Sequence, residues 1–178
     1  LESNDQNFAS IVTVFVHTSG IALLSAKFES KKISEIAIAE ALIKSMDCQD
    51  QTFTLDALKK TLETIIETKN HYVVCVKRNQ RKLFSLIDDC IANSITINST
   101  YETNRGHQEL RTIRVFTASK EIRSSYPHCK TIILVNRIRE TRYKTTEETI
   151  FYISDLTLKA KVFFVGIRGH WLIENRLH

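Results

Sequence analysis

The sequence predicts an α/β fold, a mixed sheet flanked by helices, with a β-rich insertion ahead of the last helix. Three observations lead there. Strand and helix signals follow one another as β-β-α-β-α-β through the first 80 residues. The texture then turns to β between Ser94 and Ser154, where polar and basic residues alternate with apolar ones. Helical period returns in the apolar run Leu158 to Ile167 and carries on to the end of the chain.

Each element has a local reason. Leu1 to Asn7 is polar and reads as a loop. Phe8 to Val16 and Ile21 to Phe28 are apolar, β-branched runs, and His17-Thr18-Ser19-Gly20 suits a four-residue hairpin connection between them. Lys31 to Met46 reads as a helix, because Ser34 is a cap residue and Ile36, Ala39, Ile43 and Met46 recur at helical spacing. Gln51 to Leu55 is a short strand ending at Asp56. Ala57 to Thr68 follows as a helix with Leu58, Leu62, Ile65 and Ile66 turned inward. Tyr72 to Val76 is a buried strand that runs into Lys77-Arg78-Asn79-Gln80, and Arg81 to Ala92 is a further helix.

The β-rich part offers four strands: Ser94 to Asn98, Leu110 to Thr117, Thr131 to Arg139 and Thr149 to Ser154. Alternation sends some of Arg111, Arg114, Arg137 and Arg139 to an exposed face, with Arg142 and Lys144 in the following turn. Thr157 is placed to cap the last helix. The chain thus divides into a first core part at 1–93, an insertion at 94–154 and a closing core helix at 155–178, all within one domain.

At 178 residues the chain is long enough to bury roughly two thirds of the surface it exposes unfolded. A quarter of it is charged, and it holds only four glycines and one proline, so most of it should be ordered. No apolar run reaches membrane-span length and no signal peptide opens the sequence, so a cytoplasmic protein is expected. The missing initiator methionine and the ending straight after a helix-like segment suggest a piece of a longer protein. Cys48, Cys75, Cys90 and Cys129 are far apart with no C-x-x-C pair, as expected for reduced, packed thiols. The net charge of +5 is uneven. Through Thr68 there are six Lys and Arg against ten Asp and Glu; from Lys69 onward there are nineteen against ten. A basic second part suits a polyanion surface, and an acidic first part is where cations could be held.

The chemistry concentrates at two places. In the final stretch His170, Trp171, Glu174, Leu177 and His178 lie three or four apart, so a helix puts them on one face. A plain amphipathic helix with a solvated Glu174 has the same pattern. Gly166 and Gly169 argue against a helix kept for packing alone and suit a close approach by another backbone or a nucleic-acid strand. Asp56 ends a strand and opens a helix, a position where functional groups gather in α/β sheets, although an N-cap aspartate reads identically. Converging carboxylates would hold a hard divalent cation able to serve phosphoryl transfer. P-loop, G-x-G-x-x-G, G-x-S-x-G and zinc-spaced Cys/His patterns are absent. His107 sits in what reads as a polar loop before a strand.

Four stretches, in order, carry a resemblance: Thr54-Leu55-Asp56-Ala57-Leu58, Tyr72-Val73-Val74-Cys75-Val76-Lys77-Arg78-Asn79-Gln80, Phe151-Tyr152-Ile153-Ser154-Asp155-Leu156, and Ile167 through His178. Over nearly its whole length the chain resembles the H-repeat-associated family of bacterial insertion-sequence transposases, a branch of the DDE transposases. The resemblance implies a ribonuclease-H-like core interrupted by a β-rich insertion. It also implies an acidic triad whose second Asp falls on Asp56 and whose Glu falls on Glu174. Lys32-Ile33-Ser34-Glu35-Ile36 resembles the family's Lys-Ser-Asn-Glu-Ile with two substitutions. The triad's first Asp has no counterpart here; Asp5 is in the wrong context. Arg105-Gly106-His107-Gln108-Glu109-Leu110-Arg111 matches the family's His-Gly-Arg-x-Glu-x-Arg with His and Arg exchanged.

The resemblance therefore implies the catalytic-core portion of a DDE transposase, cutting and joining DNA strands through two Mg2+ ions (or Mn2+) bound by Asp56 and Glu174. Lys77, Asn79, Gln80, Arg105, His107, Arg111, His170, Trp171 and Asn175 are the candidate DNA contacts, mostly to phosphates. The expected partners are double-stranded transposon ends and target DNA, met as a homodimer, and no membrane. Two alternatives stand beside this one: a catalytically inactive DNA-binding remnant, and a ribonuclease-H-like nuclease without strand transfer. With the first Asp missing, the chain as given is expected to bind duplex DNA weakly and not to cut it.

Overall fold

The computed structural model describes residues 10–16, 21–28, 35–55, 59–91, 97–104, 107–126 and 128–177, with side chains for Ser25, 36–55, 60–91, 109–126 and 128–171. The expected hairpin connection at 17–20, the Ser34 cap, Asp56 and Arg105 lie outside the described residues. Thirteen elements follow in order. They are β1 (Ser10–Val16), β2 (Ile21–Phe28), α1 (Glu35–Ser45), β3 (Thr52–Leu55), α2 (Lys59–Glu67), β4 (His71–Val76) and α3 (Arg81–Ile91). Then come β5 (Ile97–Asn104), β6 (His107–Thr117), α4 (Lys120–Ser125), β7 (Thr131–Glu140), β8 (Thr145–Ser154) and α5 (Ala160–Leu177).

The fold is α/β, with a mixed six-stranded sheet in the order β3-β4-β8-β7-β6-β5. β3 and β4 run parallel, as the α2 crossover between them requires, and all other neighbours are antiparallel. Two expectations change here. The β1–β2 hairpin was expected in the mixed sheet; it forms its own two-stranded sheet, with α1 packed against both strands and against α2. The β-rich stretch was given no pairing to the core; β8 zips directly onto β4, from Val73 opposite Ser154 to Val76 opposite Phe151, so its strands extend the core sheet. His107, expected in a loop, opens β6 and pairs with Asn104.

Strand alternation divides the core into two layers. On one face Tyr72, Val74, Val76, Phe116, Ile132, Leu134, Phe151 and Ile153 pack with Ile43 of α1, Leu62 and Ile65 of α2, Leu83 and Ile87 of α3 and Ile122 of α4. The other face, built from Val73, Ile113, Ile133, Val135 and Tyr152, is covered by α5 through Ala160, Phe163 and Ile167. Those three residues recur at helical spacing, which is why one stripe of α5 is buried. Burying an Ile or Phe this fully stabilises by about 1.5–3 kcal/mol each. The helix starts at Ala160 and not at Thr157, so Thr157 is not its cap. α4 was not foreseen; it is a six-residue helix whose start Ser119 caps by accepting from the Ile122 N–H at 3.3 Å.

Two polar residues fasten the sheet at the end where β3 and β4 begin. Asn70 is buried; its Oδ1 accepts from the Gln51 N–H at 2.9 Å while its Nδ2 donates to the Cys48 carbonyl at 2.8 Å, fixing the entry to β3. It follows Lys69, whose φ of 58° closes α2, with the Asn70 N–H bonded to the Ile65 carbonyl and the Lys69 N–H to the Ile66 carbonyl. Asp155 is equally buried. Its Oδ1 accepts from the Tyr72 N–H at 2.8 Å and its Oδ2 from His71 Nδ1 at 2.6 Å. Asp155→Ala leaves the buried Tyr72 N–H unpaired and should cost about 2–3 kcal/mol in urea unfolding. Asp155→Asn, which keeps an acceptor for that N–H, should cost distinctly less; equal losses would remove the assigned role.

Cys48, Cys75, Cys90 and Cys129 are free thiols, as expected. Burial pushes the Cys129 thiol up to about 11, and burial, with Cys129 and Asp155 nearby, raises the Tyr72 phenol. The folded chain therefore keeps protons that the unfolded chain releases from about pH 8.5 upward. Stability is whole below that pH and falls as pH rises through 11. Urea midpoints across this window should drop more steeply for the native chain than for Cys129→Ala; parallel curves would contradict the assignment.

Candidate functional site

The site lies where β3 ends and the second half of α5 crosses the sheet. Thr54, next to last in β3, points to the α5 side, because its neighbours Phe53 and Leu55 pack into the opposite layer. Its Oγ1 shares a 3.1 Å hydrogen bond with Nδ1 of His170, 116 residues away. The segment leading into Asp56 is thereby tied to α5 one turn ahead of Glu174. Asp56 itself lies outside the described residues. Glu174 and Asn175 continue α5, with their side chains outside the description.

Next along the helix, Trp171 covers a cluster of charges. Arg111 of β6 and Arg137 of β7 are directly opposite in register and face the same side, an arrangement that repels. Two features neutralise it. Glu109, two residues before Arg111 on the same strand face, takes Arg111 Nη2 at 3.0 Å and Arg137 Nε at 3.3 Å on one oxygen. The Trp171 ring lies under both guanidiniums, 5.5 Å from Arg111 and 6.0 Å from Arg137, with its electron-rich face toward them. Arg137 also reaches Glu148 at 3.3 Å. The indole Nε1–H donates to the Tyr152 hydroxyl at 3.0 Å, so Trp171 is fixed at its edge as well as its face.

The candidate DNA contacts are distributed as follows. Lys77 and Asn79 are exposed in the turn after β4, at the same sheet end as the close of β3. The half-buried Gln80 stands just before α3, its N–H bonded to the Lys77 carbonyl and its own carbonyl accepting from the Phe84 N–H. His107 sits at the start of β6, its side chain outside the description. Arg111 is only 13% exposed and is engaged with Glu109 and Trp171, while His170 is engaged with Thr54. β7 and β8 run on past the end of β4, carrying Arg139, Arg142 and Lys144, all exposed, around a turn tipped by Tyr143.

Sequence reasoning missed Thr54, Glu109, Arg137, Tyr152 and Asp155 as tying residues. Thr54, Tyr152 and Asp155 stand inside the stretches that carry the family resemblance, which is the signal that could have found them. Gly166, expected at a close approach, has open space where a Cβ would stand. Among the described residues no group of three His, Cys, Asp or Glu side chains could hold a metal.

Comparison with known proteins agrees with the resemblance read from the motifs. The chain is 28% identical over 183 residues to "Putative transposase YncI" of Escherichia coli O157:H7, covering 94% of this chain and 47% of that protein. It is 26% identical over 164 residues to "Putative protein YbfL" of Escherichia coli strain K12, covering 83% and 43%. To "H repeat-associated putative transposase YhhI" of the same strain it is 23% identical over 184 residues, covering 94% and 48%. The chain thus spans about half the length of the curated relatives it matches. No family profile matches it, and no solved structure does. No helix among the described residues is long and apolar enough to cross a membrane.

The Trp171 cluster has a direct readout, because Trp171 is the single tryptophan. Arg111→Ala with Arg137→Ala should shift its emission to the red and lower stability by about 1–2 kcal/mol. Arg139→Ala, on an exposed residue, should change neither; equal spectra in all three proteins would remove the stacked arrangement.

Proposed function

We propose that this chain is the catalytic-core part of a DDE-type transposase, acting on DNA strands by metal-dependent phosphoryl transfer. The observation that carries the reading is the Thr54–His170 hydrogen bond at 3.1 Å. It brings the strand running into Asp56 against the helix turn running into Glu174, the two positions that match acids of the family triad. The relatives' printed names support the class. A ribonuclease-H-like core is supported by the parallel β3–β4 pair with α2 crossing between its strands and α1 ahead of them, while the separate β1–β2 sheet departs from it.

The donor set suits a hard cation. Asp56 and Glu174 offer carboxylate oxygens, the ligands Mg2+ and Mn2+ prefer, and they are the residues that would hold it. A bound ion would supply activation of a water or hydroxyl and charge stabilisation at the phosphate. The chain's own part is positioning. His170 ties β3 to α5, Trp171 beside it anchors α5 on β6, β7 and β8, and together they fix the helix that carries Glu174. Lys77, Asn79, Arg139, Arg142 and Lys144 offer exposed polar and cationic groups at the same end of the sheet, suited to the phosphates of a duplex. Arg111 and Arg137 are better described as supports of Trp171 than as DNA contacts.

The test is a strand-cutting assay on supercoiled plasmid, run with the full-length gene product in Mg2+ or Mn2+. Asp56→Asn and Glu174→Gln should each lower cutting by more than about 100-fold, beyond the 10–100-fold usual for loss of an outer-shell partner. Folding should be unchanged by circular dichroism. Metal-dependent cutting that survives Glu174→Gln would overturn the reading.

A further inference from the structure

At the opposite end of the sheet, a cavity of about 570 Å³ opens where β6 ends, β7 begins and α5 starts. Its wall includes three cations, Arg123 of α4, Lys130 just before β7 and Lys159 just before α5, together with Thr117 and Thr157. Among the described residues no acid lines it. All three cations are exposed, and none forms an ion pair with a described residue. Glu121, the acid of α4, is not part of the lining; bonding to its own backbone N–H and to Ser119, with the charges of Lys120 and Arg123 adding to it, holds its carboxyl below the ordinary range. The floor is apolar, formed by Val115, Phe116 and Ala160, which lowers the local dielectric and strengthens the field of the cations above it. The first N–H groups of α5 open on the same wall, adding donors that no described side chain caps.

Three like charges around one concavity repel; Glu121 bears on Arg123, while Lys130 and Lys159 form no ion pair with a described acid. The folded state carries this arrangement where an anion can relieve it. The donor set suits a tetrahedral oxyanion, which accepts hydrogen bonds from ammonium, guanidinium, hydroxyl and amide N–H groups together, and the cavity has room for a larger molecule that carries it. We propose that this cavity is a phosphate-binding site, separate from the candidate acid pair. The start of α5 and His170 are ten residues apart on one helix, roughly 15 Å along its axis. The phosphate can come from a nucleic-acid backbone, which rests on the transposase reading above, or from a free phosphorylated ligand, which does not.

The site is tested on the full-length gene product with inorganic phosphate as the probe, at constant ionic strength set with chloride. Lys130→Gln with Lys159→Gln is the paired variant; both side chains are exposed, so the core is untouched. Phosphate should raise the melting temperature of the native protein more than chloride does, and this excess should vanish in the variant. No excess in the native protein, or the same excess in both, would overturn the site. A 20-base-pair duplex then identifies the source. If backbone phosphate is the ligand, the variant's log–log salt dependence of duplex affinity should be shallower by about 2. An unchanged slope beside an intact phosphate response supports the site and assigns it to a free ligand. A phosphate response with no duplex binding at all supports the site while counting against the transposase reading.

Discussion

Thr54 and His170 meet across the face of the sheet, and the position of α5 depends on what happens there. A helix lying on a sheet through Ala160, Phe163 and Ile167 is held in place but is free to slide, because apolar contact has no direction. The hydrogen bond to Thr54 removes that freedom at the turn before Glu174. The indole–Tyr152 bond removes it again one residue later. These two directional contacts sit on β3 and β8, the strands on either side of β4, so the helix is registered against both.

The second anchor solves a problem set by the sheet itself. Antiparallel register puts Arg111 opposite Arg137, and alternation turns both to the α5 side. Left alone, the pair would push that side of the sheet toward solvent. Glu109 and the Trp171 face make it a docking point instead, with charge answered by one carboxylate and one ring. An exposed ion pair contributes little, but this one is largely shielded, with Arg111 and Glu109 each under a fifth exposed. The family-like Glu-x-Arg pattern in the β6 strand thus has a physical reading: i and i+2 on a strand share a face, and the carboxylate sits beside the guanidinium it must neutralise.

Much of this was legible beforehand, and the limits have physical causes. Strands such as Tyr72 to Val76 and helices such as Arg81 to Ala92 were found because period and burial coincide in them. The ends of β5 and β8 were not: Thr100 to Asn104 and Thr145 to Glu148 are polar and paired only within the ribbon, so no apolar alternation marks them. α4 is too short for period, and its signal was the Ser119 cap with Glu121 in the first turn. The hairpin's separation and the β4–β8 pairing are tertiary choices, invisible to local pattern. At the site, the common face of His170 and Trp171 was legible from spacing. Their partners Thr54, Tyr152 and Arg137 were not, since cross-strand register decides who meets whom.

The functional reading rests on the first of these contacts, and a double-mutant cycle tests it most directly. Thr54→Val and His170→Phe, alone and together, would be compared by urea unfolding. A real hydrogen bond between them should appear as a coupling of about 0.5–1.5 kcal/mol, the double variant losing less than the sum of the two single ones. Additive losses would mean that β3 and α5 are not joined there, and the convergence of the Asp56 and Glu174 segments would lose its support.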